Sequence, residues 1–177
     1  MVPRERSFEA KMEIQNIIYE LAEKYPFLKN VEAHLCPGGF KGLILVDLRS
    51  IKNSVNTSVL EEVKSDFINT FYTRQRDGKI RYITRILILD ALVPTDIEEI
   101  RKAMERIKEK VKGRWRITLK TRGFPVDRME LIKKAAEPIS QPVDLKNPEY
   151  VVIINILGDV TGISVVKAEE VSKRWRR

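Results

Sequence analysis

An α+β fold is what the sequence predicts, and three patterns in its 177 residues support that prediction. Apolar residues recur every three or four positions in residues 8–25, 60–71 and 97–111, which is the spacing of helices that bury one face. Apolar and polar residues alternate in residues 114–120, and residues 151–157 are almost continuously apolar, as in strands. Glycines and prolines separate these stretches, and no segment is repeated.

The strand predicted at residues 114–122 has two contrasting faces. Trp115, Ile117 and Leu119 share one face and are bulky enough to anchor a sheet. The opposite face carries four cations: Arg114, Arg116, Lys120 and Arg122. The pattern therefore predicts a strand with one face in the core and one basic face.

A helix, an extended connection and a hairpin are predicted after this strand. Asp127 can cap the helix, because its carboxylate can accept the free amide hydrogens of the first turn. Two prolines in residues 142–149 favour an extended, stiff connection. Residues 151–157 are typical of a central strand buried on both faces. Gly158-Asp159 is a hairpin signal, and residues 160–166 are predicted to form the return strand.

The first half of the chain is predicted to run helix, strand, strand, helix, strand. Strands are expected at residues 31–36, 43–48 and 80–89. Capping boxes place the start of the second helix at Ser58 and the start of the next helix of the chain at Thr95. The first helix has an apolar stripe that we expect to be packed: Phe8, Met12, Ile14, Ile17, Ile18, Leu21 and Tyr25.

Two features of the first half invite a chemical interpretation. The glycine-rich loop at residues 37–42 precedes a strand, whereas a phosphate cradle opens a helix, so a tight turn is favoured over a nucleotide site. Contact between Lys41 and an RNA backbone is the alternative. His34 and Cys36 share a strand face, but zinc needs three or four ligands and the chain has one His and one Cys. We expect no metal site and no cofactor.

Composition is that of a globular protein, and its positive charge favours a polyanionic partner, with solubility as the alternative role of that charge. Hydrophobic residues make up 43% and charged residues 33% of the chain, and the longest apolar runs are too short to span a membrane. The net charge is +8, with +2 on residues 1–90 and +6 on residues 91–177. Such a basic half favours a polyanion such as nucleic acid. One cysteine and a start without an apolar leader lead us to expect a cytoplasmic protein.

The order of elements in the second half resembles the THUMP domain of tRNA-modifying proteins. The resemblance rests on residues 116–124, 142–149 and 151–164. It implies a mixed sheet with helices that binds tRNA near the acceptor end. The first half resembles the ferredoxin-like α/β layer that usually accompanies THUMP. We therefore predict a ferredoxin-like domain at residues 1–85 and a THUMP domain at residues 86–177.

The expected RNA-binding residues lie on the polar strand face and near its ends. Cations there would hold phosphates, and Phe124 would offer a stacking surface for an unpaired base. For any single arginine, the alternative is a salt bridge with a nearby helix carboxylate. The full set is Arg114, Arg116, Lys120, Arg122, Phe124, Arg128, Lys146 and Asn147. The basic tail, residues 173–177, either clamps RNA or is a solubilising end.

The chain is most similar to the stand-alone THUMP adaptor that delivers tRNA to an RNA cytidine acetyltransferase. No catalytic motif is found, and in larger THUMP enzymes the chemistry resides in a separate downstream domain, so we expect a binding protein and not an enzyme. Three alternatives stay open. They are an enzyme with unobvious catalytic residues, a non-catalytic relative of the thiouridine synthases or methyltransferases, and a general RNA-binding protein.

Overall fold

The computed structural model confirms the α+β prediction. The chain divides into two compact units, Met1–Ile86 and Leu87–Arg177, and each contains helices and strands. The side chain of Arg122 lies outside the described part of the structure. The residues that the structure describes are 6–35, 43–46, 48, 55–122, 125–169 and 171.

In its described residues, the first unit packs two helices with a two-stranded antiparallel sheet. Helix α1 (Ser7–Lys24) is followed by a 3-10 turn, and strands β1 (Ala33–Leu35) and β2 (Ile44–Val46) precede helix α2 (Thr57–Arg76). Buried Gln15 on α1 bonds to the backbone of residues 31 and 33, so that it holds the start of β1 against the helix. The unit therefore has a core of its own, built from one face of each helix.

Three expectations for the first unit are wrong. Residues 80–89 form no strand, because side chains satisfy part of their backbone: the Glu13 carboxylate accepts the amide of Arg81 (2.7 Å) and Gln75 donates to a carbonyl of the segment. Asn56 caps α2 in place of Ser58, since its Oδ1 accepts the amide of Val59.

The third error concerns the apolar stripe of α1. Five of its predicted residues are buried, but Phe8 and Met12 are exposed. The predicted ferredoxin-like layer stays a prediction, because the described residues of this unit form only two strands.

The second unit is built on a mixed four-stranded sheet. Its strands are β3 (Ala91–Pro94), β4 (Trp115–Arg122), β5 (Tyr150–Leu157) and β6 (Val160–Lys167), in the order β3-β6-β5-β4. Strands β4 and β5 run parallel, and the other neighbours are antiparallel. Strand β5 is central and almost completely buried, as its apolar run predicts. Gly158 adopts a φ of +64° in the turn between β5 and β6, which confirms the hairpin.

Two helices cover one face of this sheet. Helix α3 (Ile97–Ile107) and helix α4 (Arg128–Ala136) pack on Trp115, Leu119 and Ile154. Their buried residues follow helical spacing, so each helix contributes one apolar stripe to the core. On the other face a smaller cluster covers β5 and β6, and its members are Val151, Ile153, Val166, Leu87, Ala168 and Val171.

Carboxylates cap both of these helices. Asp127 accepts the amides of Met129 (2.9 Å) and Glu130 (3.0 Å), which confirms the predicted cap of α4. Helix α3 is capped by Asp96 and not by Thr95. The Thr95 hydroxyl instead donates to the carbonyl of residue 158 (2.7 Å) and ties the helix start to the β5–β6 hairpin.

Candidate nucleic-acid interface

Strand β4 lies at the edge of the sheet and separates a buried face from a basic face. Trp115 and Leu119 are buried under the helices, as the alternation predicts. Because side chains alternate along a strand, Arg116, Thr118 and Lys120 share the opposite face. Each of these three residues is half-buried.

The N-terminal end of β4 holds two of the predicted arginines in different states. Arg114 bonds through Nε to Glu149 (3.0 Å) and through Nη1 to Asp144 (3.4 Å), and these carboxylates raise the pKa of its guanidinium. Arg116 Nη1 donates to the carbonyl of Leu145 (3.3 Å). The Nε of Arg116 is buried and has no hydrogen-bond partner among the described residues. The charge of Arg114 is therefore largely matched by two carboxylates, whereas no carboxylate among the described residues pairs with Arg116.

The proline-containing connection runs beside the start of β4. The backbone amide of Trp115 donates to Pro142 (3.1 Å), and the amide of Asp144 donates to the carbonyl of Trp115 (2.9 Å). The indole of Trp115 also donates to the carbonyl of Gln141 (2.9 Å). These bonds confirm an extended conformation at residues 142–143 and fix the start of the connection at the sheet edge, whereas residues 144–147 form a turn that was not predicted.

Asp144 folds the next residues into a tight turn. Its Oδ1 accepts the amides of Lys146 (3.0 Å) and Asn147 (2.9 Å). The amide of Asn147 is the main cause that lowers the pKa of the Asp144 carboxyl, with the amide of Lys146 and the charge of Arg114 acting in the same direction. The turn leaves the Lys146 and Asn147 side chains exposed on the segment that contacts Arg114 and Arg116.

The other predicted residues lie toward the C-terminal end of β4. Lys120 is four residues beyond Arg116, which corresponds to about 13 Å along a strand. Arg128, at the start of α4, donates to the carbonyl of Leu119 (3.4 Å). The side chain of Arg122 and all of Phe124 lie outside the described residues, as does the tail at 173–177. The predicted site is thus a row along one strand, with a cluster at the end where Arg114, Arg116, Lys146 and Asn147 lie.

The strands and the turn that carry these residues lie within a segment that matches a known protein family. Residues 94–166 match the family model of the THUMP domain. The chain contains a THUMP domain. The match begins at the last residue of β3 and reaches β6, so the domain includes β4, α4 and the Asp144 turn. The predicted THUMP resemblance is confirmed.

Two solved structures resemble the chain in fold. PH1313 from Pyrococcus horikoshii is 20% identical with a TM-score of 0.51, over 94% of this chain and 50% of that one. A 4-thiouridine synthetase in complex with RNA and ATP is 14% identical with a TM-score of 0.51, over 89% of this chain and 37% of that one. The chain therefore spans about half the length of the Pyrococcus protein.

The THUMP domain of THUMP domain-containing protein 1 is 31% identical, over 41% of this chain and 85% of that domain, with a TM-score of 0.38. No curated protein matches the chain.

Sequence reasoning missed two features of the THUMP surface. Val143 and Leu145 are large exposed apolar residues on either side of Asp144, next to the arginines. The sequence signal that could have revealed them is the alternation of apolar and polar residues around Asp144, which places Val143 and Leu145 on the same side of an extended segment. For Arg114 the alternative considered was a salt bridge with a helix carboxylate; the structure shows salt bridges, but with Asp144 and Glu149 of the connection.

The described residues show neither a metal-binding cluster nor a membrane-spanning helix. Within them, no three His, Cys, Asp or Glu side chains are grouped so that they could ligate a metal ion. None of the helices among them combines the length and the apolar character that a membrane span requires.

The Asp144 turn provides a test of how the site is held. Replacing Asp144 by Ala removes the acceptor for two backbone amides, so we expect the melting temperature to fall by roughly 3–6 °C. Asp144→Asn keeps an acceptor oxygen and should lose less. Because the folded pKa of Asp144 is lowered, its contribution is present above the unfolded pKa and is lost as pH falls through the folded pKa. Melting curves from pH 2 to 6 should show a larger acid-dependent loss in the wild type than in Asp144→Asn, in which Glu62 and Asp66, whose pKa values are also lowered, still contribute.

Proposed function

We propose that the chain is a tRNA-binding adaptor that holds the acceptor end of tRNA on its THUMP domain. It presents that end to a modifying enzyme, an RNA cytidine acetyltransferase. The observation that supports RNA binding is the basic face of β4 inside the matched domain, with Arg116 lacking a carboxylate partner among the described residues. An RNA phosphate would supply the missing anionic acceptor.

Charge favours the RNA partner over a neutral one. Residues 91–177 have a net charge of +6, and the side chains of Lys146 and Lys167 are exposed without a carboxylate partner in the described structure. When such cations bind phosphates, counterions are released from the RNA. This release contributes to the affinity, and the affinity therefore falls as salt is added. Arg114 would contribute less, because it must first exchange Asp144 and Glu149 for a phosphate.

Apolar side chains beside the cations suit unpaired nucleotides. Val143 and Leu145 are exposed next to Arg116, and Phe124 follows β4 in sequence. Single-stranded ends present base faces that pack on such side chains, whereas paired bases in a helix do not. This combination supports the acceptor end as the bound region, which is what the THUMP resemblance implies.

The adaptor role is supported by the resemblance to the stand-alone THUMP adaptor. It is also supported by the carboxylates of α3, which form ion pairs at the surface and are not grouped for acid–base chemistry. The acidic residues of that helix pair with cations three positions along: Glu98 with Arg101, Glu99 with Lys102 and Glu105 with Lys108. Such exposed pairs form a solvated helix surface. The carboxylates around β4 are likewise bonded to Arg114 and to backbone amides.

The proposal is tested by incubating the purified chain with tRNA and acetyl-CoA, with and without the acetyltransferase. We expect no modified cytidine with the chain alone, and a rate with both proteins that exceeds the rate with the enzyme alone by at least about tenfold. Modification of tRNA by the chain alone would contradict the adaptor role. Displacement of tRNA by equimolar double-stranded DNA at physiological salt would identify a general nucleic-acid binder instead.

A further inference from the structure

The Glu149 carboxylate lies beside the start of β4 and is bonded to Arg114. Its Oε1 accepts the Nε–H of Arg114 (3.0 Å), and no other group among the described residues donates to this carboxylate. Asp144 differs, because its Oδ2 pairs with Arg114 (3.4 Å) while its Oδ1 accepts the amides of Lys146 and Asn147. The Asp144 side chain therefore holds the turn as well, whereas the Glu149 side chain serves Arg114.

Gly113 provides the space that this carboxylate occupies. A Cβ at position 113 would overlap Oε2 of Glu149 and would lie 3.0 Å from its Cδ. Gly113 is not one of the described glycines with a positive φ, so its backbone conformation does not require glycine. The missing side chain at position 113 instead permits the close approach of Glu149. Two positions of the chain thus act together to hold a negative charge beside Arg114.

Stability does not account for this arrangement. The side chains of Arg114 and Glu149 are each about half exposed, and ion pairs of this kind contribute little to folding. The backbone amide of Glu149 separately donates to the carbonyl of Arg114 (2.7 Å), so the chain is held at this point without the carboxylate. The effect on charge is larger, because a phosphate must displace Asp144 and Glu149 before it can bind the guanidinium.

Arg116, two residues after Arg114, is available to a phosphate. Its Nη1 donates to the carbonyl of Leu145 (3.3 Å), and no carboxylate among the described residues pairs with it. A nucleic acid that binds by charge alone gains affinity from every available cation. A nucleic acid that is held in one register by base and shape contacts gains only from the cations within that register. Neutralising Arg114 therefore disfavours the first kind of ligand more than the second.

We propose that Glu149 is a specificity-determining residue that withholds Arg114 from phosphates, so that RNA binding on β4 begins at Arg116. This inference rests on the proposed tRNA-binding function, because it concerns the same strand. Glu149 acts through Arg114, and Gly113 acts by making room for Glu149. The ligand favoured by this arrangement is the unpaired end of tRNA, and the ligand disfavoured by it is a double helix that offers only its phosphates.

The test compares tRNA with a DNA duplex on the same variants of the full chain. Glu149→Gln removes the charge beside Arg114, and Glu137→Gln is the matched control, because Glu137 forms an exposed ion pair of similar length with Lys134 (3.1 Å) at the end of α4. Fluorescence anisotropy at several salt concentrations measures the affinity and its salt slope. We expect Glu149→Gln to bind the duplex at least about threefold more tightly at about 100 mM salt, with a slope steeper by about 0.9. Its affinity for tRNA, and both affinities of the control, should stay within about twofold of the wild type.

Two further variants separate the position of the carboxylate from the loss of a negative charge. Gly113→Ala displaces the Glu149 carboxylate without changing the net charge, and it should also raise the affinity for the duplex. Arg114→Ala combined with Glu149→Gln removes the cation that was released, so the gain in duplex affinity and in salt slope should disappear. Circular dichroism of each variant establishes that the second unit is folded.

Failure of this inference is distinguishable from failure of the proposed function. A wild type that binds tRNA no better than the duplex would overturn both. If the wild type prefers tRNA but Glu149→Gln gains no more duplex affinity than Glu137→Gln, the role of Glu149 is overturned and tRNA binding stands. Equal gains for tRNA and duplex would mean that Arg114 lies within the RNA register, which would also contradict the proposal.

Discussion

Replacement of Ile154 by Asp is expected to unfold the THUMP domain or bring it close to unfolding. Ile154 is completely buried in β5, between β4 and β6, under the helices α3 and α4. An aspartate there must either bury an unpaired charge or take up a proton, and it also leaves the space of the isoleucine partly empty. The expected cost is roughly 4 kcal/mol or more, a large part of the 5–15 kcal/mol that a domain typically has.

Thermal melting followed by circular dichroism measures this effect. Met129→Asp is the control, because it introduces the same carboxylate at an exposed position of α4. We expect the control to melt near the wild type and Ile154→Asp to show no cooperative transition for the second unit, or one more than about 15 °C lower. A melting temperature within a degree or two of the wild type would mean that β5 is not the buried centre of the sheet.

Combined replacement of Lys120 and Arg122 by Ala is expected to cause a large loss of tRNA affinity. Both residues belong to β4, the alternation of the sequence predicts both on its basic face, and the pair adds two charges to the half of the chain that has the +6 surplus. Each phosphate contact that is lost should lower the slope of log affinity against log salt by about 0.7–0.9. We therefore expect a weaker complex whose affinity also depends less on salt, as measured by anisotropy between 50 and 300 mM salt.

A control variant on the opposite side of the sheet shows whether the loss of tRNA affinity depends on where the cations lie or only on how many are removed. Lys102→Ala with Arg106→Ala removes two cations from the exposed surface of α3, which packs on the other face of the sheet. This variant should retain most of the affinity and almost all of the salt slope. Equal losses in the two double variants would mean that RNA responds to net charge and that β4 is not the binding face.

The strands of the second unit were predictable because local pattern and tertiary environment agree there. Residues 151–157 are apolar on both faces and are buried on both, and alternation at 115–119 separates buried from polar side chains. Residues 80–89 carry a similar β-branched composition but form no strand. Their backbone groups bond to side chains of Glu13 and Gln75, and such long-range partners leave no trace in the local pattern.

Helix starts and exposure were harder to predict than helix existence. Asn56 and Asp96 cap their helices although Ser58 and Thr95 also have capping side chains, because neighbouring candidates compete and only the backbone geometry decides. Phe8 and Met12 follow the helical period but lie at the edge of the buried stripe. A one-dimensional pattern does not show where the neighbouring element ends.

The alternation of β4 predicted which residues form the candidate site. It did not predict the hydrogen bonds and ion pairs between them. Arg114 and Arg116 look equivalent in sequence, yet the structure pairs Arg114 with two carboxylates and leaves the Nε of Arg116 unbonded within the described residues. The difference arises from the Asp144 turn, which places its own carboxylate beside Arg114.

The central claim is that β4 holds the unpaired acceptor end of tRNA, and removal of that end tests it most directly. tRNA trimmed of its terminal unpaired nucleotides is compared with intact tRNA, for the wild type and for the variant with Lys120→Ala and Arg122→Ala. We expect trimming to weaken the wild type by about the same factor as the double replacement. Trimming should weaken the double variant hardly further, because both changes delete the same contacts. If trimmed and intact tRNA bind the wild type equally well, the protein does not recognise the acceptor end and is a general RNA binder with a THUMP fold.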